Sequence, residues 1–338
     1  MNRLSVFRNR MMMVACCLFT LVGCSDDTAE DNRLPDGTSP MSLTAAVDGL
    51  VQTRAAGSGT ANGTWSGSEQ IAVKVNSEVK IYIPSGSGSS VDLTSSAPFF
   101  WQASDETKAV SAWYCGDGST AAGGKNADAV PTSWMVQSDQ SATTSDGHQS
   151  SDFLYAVEKN ISFSDSDKSL TFTHQTACVV INIVNAEAAT EAGAITQISI
   201  GAANNLALSG TYTAPAQGSG DTGTWDTSNS SSKGIITPKD ITSADGTYLK
   251  TYVALVIPQN MSGHKFIAVT LTDGNTYYYI PQNSDANLES GKQYTYNITV
   301  KYGYLDVKTV ATDGEWGGGT TEDVTTKDVT TAVNSPIK

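Results

Sequence analysis

The residues with the greatest capacity for chemistry in this chain are three histidines, His148, His174 and His264. None of them has a second histidine or a cysteine at the spacing of a zinc-binding motif. His148 falls in a polar stretch that predicts a loop. His174 ends an alternating stretch that predicts a strand, where we expect a structural, hydrogen-bonded histidine rather than a general base. The histidines therefore predict neither a metal centre nor a catalytic site.

The carboxylates and glycines give no stronger sign of catalysis. The sequence contains no Gly-x-Ser-x-Gly nucleophile motif and no P-loop. Asp165-Ser166-Asp167 resembles the start of a calcium loop but lacks the glycine and the bidentate glutamate of an EF-hand, so it predicts a plain hairpin turn. A carboxylate pair for glycoside hydrolysis cannot be singled out by spacing alone. We therefore expect no enzyme activity, no metal and no cofactor.

The first residues have the composition of an export signal. Three arginines and no acid within residues 1–10 precede an apolar run from Met11 to Val22. That run is shorter than the roughly 20 residues that span a bilayer. Leu21-Val22-Gly23-Cys24 resembles the lipobox of bacterial lipoproteins, in which the cysteine is lipidated and becomes the first residue. Residues 1–23 are therefore predicted to be a signal peptide, and Cys24 to carry palmitate that anchors the chain in the outer membrane.

The remaining cysteines and the residues that follow Cys24 are both consistent with an exported protein. Once the signal and the lipidated residue are set aside, Cys115 and Cys178 remain, far apart in sequence. Cys178 lies in an apolar run, where an unpaired cysteine behaves as a small hydrophobic residue, so two buried free thiols are predicted. The acidic stretch Ser25-Asp26-Asp27 resembles the signal that sends Bacteroidota lipoproteins to the outer face of the outer membrane.

Length and charge limit the classes of function. The chain has 338 residues, and 20 Lys and Arg against 34 Asp and Glu give a formal net charge of −14. Nucleic acids and anionic lipid surfaces are bound by clustered lysine and arginine, so no nucleic-acid partner is expected. The length predicts about two domains.

Apolar and polar residues alternate along much of the chain, which is the period of a β-strand. Strands are predicted for residues 71–75, 79–83, 170–173, 252–257, 266–271, 277–280 and 294–300. Asp273-Gly274-Asn275 predicts a tight hairpin, because glycine and asparagine tolerate positive φ. Residues 185–194 alone look briefly helical and are interpreted as a linker. The pattern predicts an all-β protein with two antiparallel β-sandwich domains in tandem.

Five phrases, in the expected order, resemble the fimbrillin-like family of Bacteroidota, the Mfa-like lipoprotein pilins of type V pili. The phrases are Thr53-Arg54 followed by Trp65-Ser66-Gly67-Ser68-Glu69-Gln70-Ile71-Ala72-Val73, then Leu170-Thr171-Phe172-Thr173-His174, Val256-Ile257-Pro258-Gln259, the stretch 288–300, and Asp313-Gly314-Glu315-Trp316. Ser68-Glu69 stands where the family usually has Gly-Asp or Gly-Glu. The similarity extends from the signal to about Trp316.

The resemblance implies two transthyretin-like β-sandwich domains and a fimbrial subunit that acts in adhesion and biofilm formation. In the family, a temporary N-terminal strand fills a groove until an Arg-specific protease cuts behind it, and a strand of another fimbrial subunit then enters. The implied parts are a signal peptide, a lipidated pro-segment, an N-terminal sandwich, a C-terminal sandwich and a tail that could donate a strand. They cover residues 1–23, 24–54, 55–187, 188–316 and 317–338.

The sequence before Arg54 fits the role that the resemblance implies. A strand predicted from Leu43 to Thr53 alternates so that one of its faces can be buried. The apolar residues on that face are Leu43, Ala45, Val47 and Val51. The strand ends directly before Arg54-Ala55, the predicted cleavage site. Arg33 is a competing site, but it precedes the strand and cleavage there would leave the strand attached.

The tail fits its implied role less well, because neither set of alternating positions in residues 317–338 is apolar. Two classes of function therefore compete, ahead of a third. A structural or accessory fimbrial subunit predicts loss of residues 24–54 and oligomers that resist mild denaturant. A non-polymerising surface lipoprotein that binds a glycan or a host ligand predicts retention of Cys24 and a monomer with exposed aromatic residues. A glycosidase, as a third class, would need a carboxylate pair in a cleft.

Overall fold

The computed structural model describes residues 32–48, 63–116, 129–142, 146–184, 195–242, 248–282, 287–301 and 304–315, the side chains of residues 309–315 excepted. These residues form an all-β fold with one short helix, α1 (Gly147–Ser150). The first eight strands are β1 (Leu43–Val47), β2 (Ile71–Val75), β3 (Glu78–Pro84), β4 (Ser90–Thr94), β5 (Thr107–Cys115), β6 (Ser133–Met135), β7 (Phe153–Ser162) and β8 (Ser169–His174).

The strands of the second half are shorter on average and more numerous. They are β9 (Ala177–Ile183), β10 (Ile195–Ile200), β11 (Leu206–Ala207), β12 (Ser209–Thr213), β13 (Thr224–Asp226), β14 (Lys233–Gly234), β15 (Lys239–Asp240), β16 (Lys250–Val256), β17 (Ile267–Leu271), β18 (Thr276–Tyr279), β19 (Lys292–Lys301) and β20 (Tyr304–Glu315). Within the described residues, no helix has the length and apolar character needed to cross a membrane.

Seven of the first eight strands close into a barrel in the order β1-β4-β3-β2-β5-β7-β8. The neighbours are antiparallel except for β1 and β8, which run parallel and complete the closure. The interior is filled by alternate side chains of the strands, as a small barrel requires. Its aromatic members are Trp65, Tyr82, Phe99, Trp101, Tyr114 and Phe172.

A second core lies between two sheets built mainly from later residues. One sheet has the order β15-β16-β9-β19-β20 and the other the order β10-β17-β18. The rings of Phe266 and Tyr279, at or beside the second sheet, lie 5.5 and 5.7 Å from the ring of Tyr296 in β19. Two smaller sheets, β13-β12-β6 and β11-β14, complete the architecture.

Phe153 of the barrel strand β7 contacts the rest of the molecule through aromatic rings. Its ring lies 5.5 Å from Trp134 in β6, 4.8 Å from Tyr212 in β12 and 6.4 Å from Trp225 in β13. The pairs with Tyr212 and Trp225 are edge-on, an arrangement that adds to the free energy gained by burial alone. This aromatic junction joins the first half of the chain to the second.

The prediction of an all-β protein is confirmed, but the expectation of purely antiparallel sheets is wrong. Among the strands that the structure describes, β1 and β8 pair in parallel, and so do β9 and β19. Hydrogen bonding also crosses the division expected after residue 187, because β9 pairs with β16 and β19, and β6 pairs with β12. The predicted linker at 185–194 lies outside the described residues, and α1 instead occupies part of the loop predicted around His148.

The predicted hairpin at residues 273–275 is confirmed between β17 and β18, with Gly274 at φ 86°. The strands that periodicity did not predict include β5, β7 and β9. In β5 six consecutive residues are buried and in β9 all seven are, so both faces are covered. Strands covered on both faces lose the alternation on which the prediction depends.

Candidate functional site: the slot filled by β1

β1 is inserted between two strands that come much later in the chain. Its Ala45 stands opposite Val91 of β4 on one side and Leu170 of β8 on the other. Beyond the ladder, the Val47 N–H donates to the Ser89 carbonyl at 2.9 Å, and the Asp48 N–H donates to the Phe172 carbonyl at 2.7 Å. β1 therefore satisfies backbone groups of both β4 and β8. We call the space that it occupies the β1 slot.

One face of β1 is part of the barrel core. Leu43, Ala45 and Val47 are 1%, 0% and 6% exposed, while Thr44 and Ala46 between them are only half-buried. Met41 lies on the same inner face and is 2% exposed. The alternation predicts a strand from Leu43, and Met41 continues the same buried face by one more step toward the N-terminus. Val51, the remaining residue of the predicted apolar face, lies outside the described residues.

The chain before β1 is also held against the barrel. The Met41 N–H donates to the Phe99 carbonyl at 2.8 Å, and the Trp101 N–H donates to the Ser39 carbonyl at 2.9 Å. Arg33 forms an antiparallel bridge with Ala103 and is exposed. Residues 32–48 therefore lie along the barrel as a continuous segment. Cys24, Arg54 and Ala55 lie outside the described residues.

Removing β1 would change the barrel substantially. Burying a Met, Leu or Val side chain stabilises a fold by about 1.5–3 kcal/mol, and β1 with Met41 supplies one of each. Withdrawal would also leave β4 and β8 as two facing edges with unpaired N–H and C=O groups. Such edges accept another strand readily. The geometry is that of a groove which needs an occupant.

Trp65, near the start of the chain that follows the undescribed residues 49–62, packs close to the β1 slot. Its backbone N–H donates to the Gly88 carbonyl at 2.8 Å. The next residue is Ser89, whose carbonyl accepts from the Val47 N–H of β1. The Trp65 ring lies 5.2 Å from that of Phe172, the residue opposite Val47. The Glu69 carboxylate accepts from the N–H groups of residues 66, 67 and 68 at 2.7–3.1 Å and so fixes the turn after Trp65.

The Leu170–His174 phrase ends in a buried polar pair. The Nδ1 atom of His174 lies 2.8 Å from Oδ1 of Asp152, and both side chains are almost fully buried. The neighbouring Gln175 accepts from the Tyr212 hydroxyl at 2.9 Å and from the Gly223 N–H at 2.8 Å. These contacts tie the end of β8 to the second half of the molecule. They agree with the predicted structural role of His174.

Two glutamines, Gln259, which is half-buried, and Gln140, which is buried, complete the backbone pairing in a similar way. The amide of Gln259, in the Val256–Gln259 phrase, both accepts from and donates to the backbone of Ala207 at 2.9 Å. The amide of Gln140 does the same with Leu255, at 2.8 and 2.7 Å. A side-chain amide that pairs with one residue in both directions replaces a neighbouring strand. This role accounts for Gln259 and could not be derived from spacing.

Gly218 to Gly223 has the Gly-x-Gly-x-x-Gly spacing of a dinucleotide-binding loop, but its setting differs. The segment connects β12 and β13 of an antiparallel sheet, whereas a dinucleotide loop joins a strand to a helix whose N-terminus faces the pyrophosphate.

The acidic turn at Asp165 is a hairpin between β7 and β8, in which Asp165 and Asp167 accept backbone N–H groups at 2.7 and 2.8 Å. Among the described residues no cluster of His, Cys, Asp or Glu could hold a metal.

Cys115 and Cys178 are buried thiols, and neither forms a disulfide, as predicted. Burial raises the pKa of the Cys178 thiol above its ordinary value, so this cysteine is an inert part of the core.

His148 differs from the prediction, because it is 3% exposed and not part of an open polar loop. Its Nδ1 lies 3.2 Å from Oε1 of the buried Gln140.

His148 is expected to make the stability of the protein depend on pH. Desolvation, helped by nearby Lys239, lowers the pKa of His148 from 6.5 to about 4. Between these values an unfolded chain binds a proton that the folded chain excludes, so the free energy of unfolding should fall as the pH drops from about 6.5 to about 4. The shift corresponds to a loss of about 3 kcal/mol.

The variant His148→Asn should flatten that decline, because an amide can replace Nδ1 toward Gln140 without titrating. Urea unfolding at several pH values between 4 and 7 would measure it. His264→Asn is the matched control, since His264 is exposed, and its profile should follow that of the parent. An unchanged slope in His148→Asn would show that His148 is not the group responsible.

The chain is similar to known proteins in both sequence and structure. The sequence model of a protein family described as fimbrillin-like matches residues 53–323. No curated protein matches the chain. A candidate cell adhesion protein from Bacteroides uniformis has a TM-score of 0.56 at 16% identity, over 82% of this chain and 98% of its own. One from Bacteroides ovatus has a TM-score of 0.54 at 17% identity, over 84% and 99%. Similarity at these identities shows a shared fold.

Proposed function

Because the chain belongs to the fimbrillin-like family, we propose that it is a surface-exported lipoprotein that serves as a structural or accessory subunit of a type V fimbria. In this proposal it acts in adhesion and biofilm formation, and it joins other fimbrial subunits by strand exchange after an Arg-specific protease cuts at Arg54. The observation that carries the proposal is the position of β1, a strand on the N-terminal side of Arg54 that completes the barrel.

The pairing of β1 supports a temporary role for this strand. It is held by hydrogen bonds and apolar contacts to β4 and β8, and the only covalent connections it has are to the chain on either side. Cleavage at Arg54 would cut one of these connections. β1 would then be retained by non-covalent contacts alone, and a competing strand of higher local concentration could displace it.

The distribution of arginine supports processing confined to the pro-segment. Beyond the predicted signal, the sequence has two arginines, Arg33 and Arg54, and residues 55–338 contain none. All the basic residues of that long stretch other than histidine are lysines. An Arg-specific protease could therefore cut the pro-segment without damaging the remainder of the subunit. This pattern also favours a protease that discriminates arginine from lysine.

We further propose that the two cores correspond to two transthyretin-like domains in tandem. The barrel core draws on residues 41–172, and most of the second core comes from residues 177–307. The change between the cores falls at residues 173–176, earlier than the division expected after residue 187. In this proposal residues 317–338 remain a tail outside both domains.

Lipidation at Cys24 provides the surface anchor in this proposal. The Cys24→Ala variant should lose metabolic labelling with palmitate and should be released or accumulate as an unprocessed precursor, because a lipid-modified cysteine is needed for stable attachment. Labelling of cells that express the variant and its parent would measure this. The matched control is Cys115→Ala, which removes a buried thiol and should keep its label. Normal labelling of Cys24→Ala would contradict the anchor.

N-terminal sequencing of protein extracted from the cell surface tests the whole proposal. Assembled material should begin at Ala55, and oligomers should persist in mild denaturant. Surface protein that begins at lipidated Cys24 and stays monomeric would instead support the non-polymerising lipoprotein that binds a glycan or host ligand. The tryptophans of the described residues give that alternative little support, because all of them are buried or half-buried.

A further inference from the structure

We propose that the β1 slot selects its incoming strand by size at one position, the position of Ala45. The strand that replaces β1 should carry alanine or glycine there, between larger apolar residues at the positions of Leu43 and Val47. We also infer that this strand comes from a different subunit and not from residues 317–338 of a second copy. Both statements rest on the proposed strand exchange.

The first argument is the packing around Ala45. The side chain is 0% exposed and points into a closed barrel. Its direct neighbours across the ladders are Val91 and Leu170, and the next inward residues on the two strands are Leu93 and Phe172. The neighbouring strands β4 and β8 therefore contribute large side chains around this position, and β1 contributes the small side chain of Ala45. Protein interiors are close-packed, so a larger side chain at this position would have to displace its neighbours.

The second argument is the contrast between the inward positions of β1. Leu43 and Val47 are larger than alanine and buried, which shows that the slot takes larger side chains at the inward positions on either side of Ala45. Met41, just before β1, is also large and buried. Ala46, adjacent to Ala45, faces outward and is half-buried. The size restriction consequently applies to a single inward position and not to the slot as a whole.

The outer face of the slot adds a restriction on charge. Thr44 stands directly opposite Asp92 of β4, and Asp92 is exposed. An acidic residue in an incoming strand at the position of Thr44 would place two like charges across a strand pair, which is destabilising. A neutral or basic residue is expected there.

Residues 317–338 do not satisfy these requirements. In that stretch no four alternate residues are all apolar, and the two sets that come nearest each pair two aliphatic with two hydroxyl residues: Val329, Thr331, Val333 and Ser335, and Thr331, Val333, Ser335 and Ile337. Such a strand would bring two hydroxyl side chains to inward positions of the slot, where a polar group without a partner is costly. A second copy is therefore a poor donor through this stretch, and a strand of another subunit with the pattern of β1 is the expected occupant.

The test uses the full chain from Cys24 with Arg33→Ala, so that an Arg-specific protease cuts it at Arg54 alone. Cleavage is carried out in the presence of a fluorescent peptide, and capture is measured by co-elution with the protein under native conditions. Four peptides are compared: residues 39–48, the same peptide with Ala45→Leu, the same peptide with Ala46→Leu, and residues 322–335. Ala46→Leu is the matched control, because it makes the same change one position away on the outer face.

We expect capture of the native and Ala46→Leu peptides, about tenfold or more weaker capture of the Ala45→Leu peptide, and no capture of the tail peptide. Equal capture of the Ala45→Leu peptide would overturn the size restriction, and capture of the tail peptide would overturn the choice of donor. In both cases the proposed function would stand. If even the native peptide is excluded after complete cleavage, the slot does not exchange strands, and the inference falls together with the proposed assembly.

Discussion

Replacing Arg54 with alanine is expected to abolish polymer formation and to leave full-length, lipid-anchored monomers on the cell. In this variant β1 stays covalently linked to the rest of the subunit and remains at a high effective concentration beside its own slot. A strand from another subunit cannot compete with a tethered strand of equal affinity. Denaturant-resistant ladders, visible on gels of surface extracts from the parent, should be absent.

Arg33→Ala is the matched control for this prediction. It removes the other arginine of the pro-segment, which lies before β1 and bridges Ala103, and polymers of normal length should still form. Cleavage at Arg54 also removes six acidic residues and two arginines with residues 24–54, so native gels should separate processed from unprocessed chains. Polymers from Arg54→Ala that still carry residues 24–54 would exclude the mechanism and favour the binding lipoprotein.

Leu43→Ala is expected to lower the free energy of unfolding of the uncleaved chain by about 2–5 kcal/mol. The side chain is 1% exposed, belongs to the barrel core and stands opposite Leu93. Truncating a buried leucine loses its transfer free energy and leaves a cavity that the surrounding strands fill only partly. Urea unfolding of the Arg54→Ala background would measure the effect without interference from cleavage.

Thr44→Ala serves as the control for that measurement. Thr44 is the next residue in the same strand, but it lies on the outer face and is half-buried, so its truncation should change the free energy of unfolding by only about 0.5 kcal/mol. A loss below about 1 kcal/mol for Leu43→Ala, comparable with Thr44→Ala, would show that β1 contributes little to the barrel. The slot would then have no energetic need for a replacement strand.

Local patterns predicted those features that depend on neighbouring residues in the sequence. Alternation from Leu43 to Val47 predicted a strand with one buried face, and the structure has these residues in β1. Asp273-Gly274-Asn275 predicted its hairpin because the turn needs only a residue that accepts positive φ. The apolar run around Cys178 predicted a buried free thiol. Each of these inferences uses a period or a side-chain preference that a few residues are enough to express.

The tertiary structure alone decided which distant segments meet. Nothing near Ala45 in the sequence indicates that its neighbours are Val91 and Leu170, or that β1 runs parallel to β8. The burial of His148 and the pairing of Gln140 with Leu255 likewise depend on residues far along the chain. Strand order and direction are set by how separate apolar faces share one core, and that choice leaves no local period. The sequence by itself therefore predicted a one-faced strand on the N-terminal side of Arg54. Only the fold determined that this strand closes a barrel between β4 and β8.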